Sequence, residues 1–271
     1  MVKGQIDQAR GDPQGVFLVF RNGRRPDADK IEKLVKQLPT VSVSFNPAKA
    51  QHLRLVASDG SRTTSGEDSP GNWLEILSDG LTFDLVGLAP GQAVPFPDCE
   101  SKFDFERGIS DRCEHAINLR PGEHISSAAG SAPVLKGLLR LTRDFVHHFE
   151  EIDAIVWPHS ESVIGRRFFE STVTAYLEGG AFPALGLVSF RQTVDGGLQS
   201  VGLSHMTQQE IRIEPDLATD KVAATRLAVR LINQLVLTGT IQRAEEVVAP
   251  DGRILRLEPS ANERFVRVWS G

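Results

Sequence analysis

Apolar residues recur at every second position in some segments of the chain and at every third or fourth in others, and that switching of period predicts the elements. The first signal is the unbroken apolar run Val16–Phe20, which leaves into Arg21-Asn22-Gly23. A run apolar at every position predicts a central strand covered on both faces. Pro26-Asp27 then opens a helix carrying Ile31, Leu34, Val35 and Leu38, and Pro39 stops it. Residues 40–45 alternate strictly, as a half-buried strand does, and residues 53–56 read as a partner strand. An exposed polar loop is predicted over residues 58–72. Two strands, 73–77 and 81–88, flank Ser78-Asp79-Gly80, and Asp-Gly between apolar runs is a hairpin signal. Residues 89–131 contain Pro90, Pro95, Pro97 and Pro121, predicting a connecting region with one short strand at 116–119.

The second half is more periodic. Ser131 and Pro133 start a helix with Leu135, Leu138, Leu139, Phe145, Val146 and Phe149 on one stripe. Residues 152–157 predict a buried strand ended by Pro158, and residues 163–178 a second helix stopped by Gly179-Gly180. Strands are expected at 185–190, 198–203 and 210–213. The longest helix is read from Asp220 to Thr238, with Val222, Ala223, Leu227, Leu231, Ile232, Leu235 and Val236 inward. Arg226, Arg230, Asn233 and Gln234 are expected to be wet. Residues 253–257 and 265–269 alternate as an antiparallel pair, arginines to one side.

Strands interleaved with helices and hairpins predict an α+β fold, with helices packed on a mixed, largely antiparallel sheet. Two ferredoxin-like halves remain an open alternative. The domain reading divides the chain into an N-terminal α+β half, 1–120, and a C-terminal α/β half, 121–271, with one continuous domain as the other possibility.

Composition narrows the function classes. The 271 residues are 40% hydrophobic and 24% charged, which argues against disorder along most of the length. A net charge of −5, from 30 basic against 35 acidic residues, speaks against a nucleic-acid partner. Without an apolar run of membrane-spanning length or an apolar leader, the expectation is a soluble cytoplasmic protein. Two cysteines suit a reducing compartment.

Trp157-Pro158-His159-Ser160-Glu161-Ser162 follows a predicted strand end, where α/β sheets place ligands. His159 offers a base and Glu161 a carboxylate; the plain alternative is a helix cap at Ser160 or Ser162 beside a solvated His159. His205 and Glu210 form a second imidazole–carboxylate couple, able to line a pocket with His159 if their strands are neighbours. Cys99, Cys113, His115 and His124 mix thiolate and imidazole as zinc sites do, but with no compact C-x2-C knuckle. His147 and His148 are adjacent on a helix and diverge by about 100°, so they read as structural. Phosphate-loop and dinucleotide fingerprints are missing, and no cofactor is expected.

Asp153 through Ser160, Arg167-Phe168-Phe169, Phe182 through Leu187, Gly202-Leu203, Glu210 through Ile213, Leu237-Thr238-Gly239 and the proline-rich joint from Leu88 to Pro97 form a series of blocks. Together they resemble the bacterial domain-of-unknown-function 4261 family. Asp251-Gly252-Arg253 departs from the turn the family carries after its long helix. The resemblance implies a bacterial protein of mixed α/β fold and supplies no catalytic residues.

Three functions compete. The favoured one is a non-catalytic module that binds another protein, of immunity, adaptor or secretion-associated type. The second is a hydrolase or transferase centred on His159, Glu161 and His205. The third is a small-ligand sensor using a cleft between the halves. The binding residues named for these readings are Trp157, His159, Ser160, Glu161 and Glu210.

Overall fold

Every residue of β1 (Val16–Phe20) is buried. Val16, Leu18 and Phe20 enter one apolar cluster, while Phe17 and Val19 join a second with Phe105 and Val163. The strand is therefore covered on both faces, as its unbroken apolar run requires. A computed structural model describes residues 15–50, 73–106, 115–249 and 251–271. The expected strand at 53–56 and the loop at 58–72 lie outside those residues.

Helix α1 (Ala28–Val35) is capped by Asp27, whose side chain accepts from Lys30 N at 2.9 Å. Strand β2 (Val41–Phe45) pairs with β3 (Trp73–Ser78), which turns through Asp79 and Gly80 into β4 (Leu81–Val86). Both turn residues have positive φ, +49° and +82°, the conformation a two-residue hairpin turn demands. The first sheet adds β5 (Ser101–Phe103), β6 (Ala116–Pro121), β7 (Ile152–Trp157) and β8 (Ser162–Gly165), in the order β2-β3-β4-β6-β1-β7-β8-β5. Among the described strands only β5–β8 is parallel within it. Helices α2 (Ala132–His148) and α3 (Arg166–Leu177) pack together on this sheet.

The second sheet is built of β9 (Ser189–Gln192), β10 (Leu198–Val201), β11 (Glu210–Ile213), β12 (Glu245–Val248), β13 (Ile254–Pro259) and β14 (Phe265–Ser270). They run in the order β12-β13-β14-β11-β10-β9. Helix α4 (Lys221–Thr238) packs against β10 and β11. It leads from β11 towards the β12–β14 meander, whose last strand lies parallel to β11. The fold is α+β, with two mixed and mostly antiparallel sheets. Neither sheet has the four-stranded order of a ferredoxin-like half. One apolar cluster draws on both sheets, from Val16 and Trp157 to Ile211 and Val268. The change of sheet falls between Gly165 and Ser189.

Three local expectations are corrected. Residues 163–165 belong to β8 (Ser162–Gly165) instead of the first turn of a helix. Val163 and Ile164 are fully buried between two strands, and a Cβ on Gly165 would lie 2.0 Å from the Asp104 carbonyl oxygen. Residues 184–187 make a helical turn through Gly186, at φ +100°, and the strand begins only at Ser189. On α4, Val222 is 59% exposed, while Asn233 is half-buried and its Oδ1 accepts from Phe182 N at 2.8 Å.

Candidate functional site

The two sheets meet where β7 ends. Pro158 breaks the strand after Trp157, and Pro158–Ser160 forms a single 3-10 turn before the chain reverses into β8. From the second sheet, β10 leaves through Gly202 into the helical turn Ser204–Thr207. These turns bring His159 against His205. The two imidazoles stack with centroids 3.6 Å apart and planes 14° from parallel. Trp157 stands edge-on to both, 5.3 Å from His159 and 6.0 Å from His205. Its side chain is fully buried, and Nε1 has no hydrogen-bond partner among the described residues. An unpaired buried donor costs about 1–3 kcal/mol, so the ring cluster is kept at the expense of a polar contact.

Glycines allow the approach at two points. A Cβ on Gly130 would sit 1.8 Å from the His205 carbonyl oxygen. Gly202 has φ +97°, and a Cβ there would lie 2.8 Å from the His159 carbonyl oxygen. Only glycine lets these backbones touch.

A cleft of about 380 Å³ opens beside the histidines, lined also by Ser126, Ser127, Ala129, Gly130, Gly202 and Ser204. No carboxylate, lysine, arginine or cysteine is among these described lining residues. Burial pushes the His159 imidazole from the usual 6.5 down to about 3, with His205 adding repulsion. Burial lowers His205 as well. Both rings are therefore neutral at neutral pH, each offering one N–H donor and one nitrogen acceptor. With the serine hydroxyls they can hold a small polar molecule by hydrogen bonds. They supply no protonated acid at that pH.

The expected carboxylates do other work. Glu210 accepts from the backbone N–H groups of Gly202 (2.9 Å), Leu203 (3.2 Å) and Ser204 (3.0 Å), and from the Ser200 hydroxyl. It fixes the loop that carries His205, occupying the amides an anion would otherwise find. Glu161 sits in the left-handed region at φ +51° and pairs with Arg191, which also reaches Glu100 at 3.0 Å. Ser160 is buried; its hydroxyl donates to the Gly186 carbonyl at 2.8 Å and lies 2.8 Å from Ser162 Oγ. Neither serine caps α3, whose N-cap is Gly165. The structure thus joins Trp157, His159 and His205, and sets Ser160, Glu161 and Glu210 around them as supports.

Of the cysteine–histidine set, Cys113 lies outside the described residues. Burial, with Glu161 and Asp98 adding repulsion, raises the Cys99 thiol to about 12. His124 bonds Thr82 Oγ1 at 3.0 Å, whereas His115 lies beside Gly23. No group of three or more metal-ligating side chains is found among the described residues. His147 pairs with Glu170 at 2.8 Å, and His148 packs edge-on against Phe149. Sequence reasoning missed Ser126, Ser127 and Gly130, whose small-residue run Ser-Ser-Ala-Ala-Gly-Ser before α2 was the available signal.

A second groove, of about 490 Å³, runs between α1 and β2, with Val35, Val41, Val43 and Phe45 along it and Lys36 and Lys49 beside them. Among the described residues no helix is long and apolar enough to cross a membrane. No protein-family model, curated protein or solved structure matches the chain.

Proposed function

We propose that the protein is a non-catalytic binding protein that takes a small polar ligand in the two-histidine cleft between its sheets. The single observation behind this reading is the His159–His205 stack, facing a 380 Å³ cleft lined by serines and glycines. Such a volume falls within the usual range for small-molecule sites. Neutral imidazoles and hydroxyls orient a ligand through hydrogen bonds. A hydrolase or transferase drawing on Glu161 would need that carboxylate in the cleft, and Arg191 engages it elsewhere. Membership of the bacterial domain-of-unknown-function 4261 family is part of the proposal. The resembling blocks include residues 153–160, Gly202-Leu203 and Glu210, the segments that build and brace the cleft.

The test uses native mass spectrometry of the full chain after exposure to a metabolite extract. Wild type is expected to carry a bound small molecule that Ser127→Trp, which fills the cleft, does not retain. Phe45→Asp, remote from the cleft, should retain it. Equal retention by Ser127→Trp would overturn the reading.

A protein partner is the second reading, favoured by the groove beside Phe45, which is 43% exposed on β2. A cytoplasmic location belongs with either reading.

A further inference from the structure

The polar side chains lining the cleft are of two kinds: the hydroxyls of Ser126, Ser127 and Ser204, and the imidazoles of His159 and His205. Hydroxyls donate, and an imidazole becomes a double donor when it gains a proton. None of these groups can become negative near neutral pH. Two carboxylates on the neighbouring segments are engaged elsewhere. Glu210 faces the amides of residues 202–204 and Glu161 faces Arg191. In the turn before α2, His124 bonds Thr82, and the charge of Glu123 helps to raise the Asp84 carboxyl. Among the described residues, burial and the neighbouring imidazole set the ionisation of the cleft histidines, and no carboxylate is among the causes.

Resting on the ligand-binding reading above, we propose that the cleft is an oxyanion site, which takes a small sulfate-, phosphate- or carboxylate-bearing molecule together with one proton held on the His159–His205 stack. The stacking sets the count at one. A single imidazolium over a neutral ring is a favourable cation–π arrangement. A second proton would put two like charges about 3.6 Å apart in a half-buried site. The empty pair is neutral because burial disfavours the charged form, and an oxyanion within hydrogen-bond reach reverses that balance. Proton and anion therefore bind as mutually reinforcing ligands. Affinity rises about tenfold for each unit that the pH falls, over the range where the empty pair is neutral and the occupied pair charged.

The experiment follows the imidazole nitrogen resonances of the full-length protein at about pH 6 during titration with sulfate, with acetate and with glycerol. Calorimetry is run alongside in buffers of differing ionisation enthalpy. A saturable imidazolium signal with sulfate or acetate, and uptake of one proton per anion, is the expected result. The stronger of the two anions tells a tetrahedral ligand from a carboxylate. His159→Gln should abolish proton uptake, and Ser127→Ala should weaken the anion while leaving the stack in place. An anion that binds without proton uptake overturns the proposal, as does failure of both anions to perturb either imidazole. If glycerol alone shifts the rings, the cleft remains a binding site and only its anion selectivity falls. If no probe perturbs them and Ser127→Trp retains the extracted ligand, both readings fall.

Discussion

Burial holds the His159 imidazole neutral down to about pH 3, whereas in an unfolded chain it charges at the usual 6.5. Between those values the unfolded state binds the extra proton, so stability rises with pH across that window. It is lost as the pH falls from 6.5 towards 3, by up to about 1.4 kcal/mol per pH unit, and His205 shifts in the same direction. His159→Phe keeps an aromatic ring against Trp157 and removes the proton. Urea unfolding followed over that range should therefore give a flatter acid limb for the variant, and parallel curves would contradict the burial argument. The placement of His159 and His205 near strand ends was legible in the sequence, because turns after strands are places where polar side chains gather. Their stacking was not, since it depends on two sheets meeting. The carboxylates misled for a related reason. Glu161 follows a proline-led turn and lands in left-handed backbone, which aims it at Arg191, and no spacing rule foretells that direction.

Elements with a clear apolar pattern were readable, the short strands β1 and β11 among them, and those without one were not. Helix α4 is the plainest case: Asp220 begins it, accepting from Val222 N at 2.9 Å and Ala223 N at 3.2 Å, and Gly239 follows its last residue. Asp220→Ala should cost about 1 kcal/mol of stability, and Asp220→Asn much less, both measurable by thermal unfolding. An unchanged Asp220→Ala protein would show that the cap is idle. Strand β8 is only four residues long, and its Val163-Ile164 pair fits a helix pattern equally well until Gly165 is seen pressed on Asp104. Strands β5 and β12 lie at sheet edges with largely exposed or half-exposed residues, so neither carries a hydrophobic alternation strong enough to read. Edge pairing comes from the sheet already present more than from the strand itself.

At the scale of the whole molecule, the cleft is a product of assembly. One sheet supplies the turn after β7, the other the turn after β10, and the small-residue run before α2 closes the third side. Gly130 is the tightest point, where an added Cβ has no room before the His205 carbonyl. Gly130→Ala should cost about 1–3 kcal/mol by overpacking and separate His205 from His159. Loss of the mutual ring-current shifts of the two imidazoles would report that separation. A variant with wild-type stability and unchanged ring shifts would mean the sheets do not meet as described. The central claim is that this junction holds a ligand, and a crystal structure of the full chain with the compound it retains from a metabolite extract tests that most directly. The prediction is electron density bounded by His159, His205 and the hydroxyls of Ser126, Ser127 and Ser204. Density for the compound elsewhere on the protein, with the histidine cleft vacant, would contradict it.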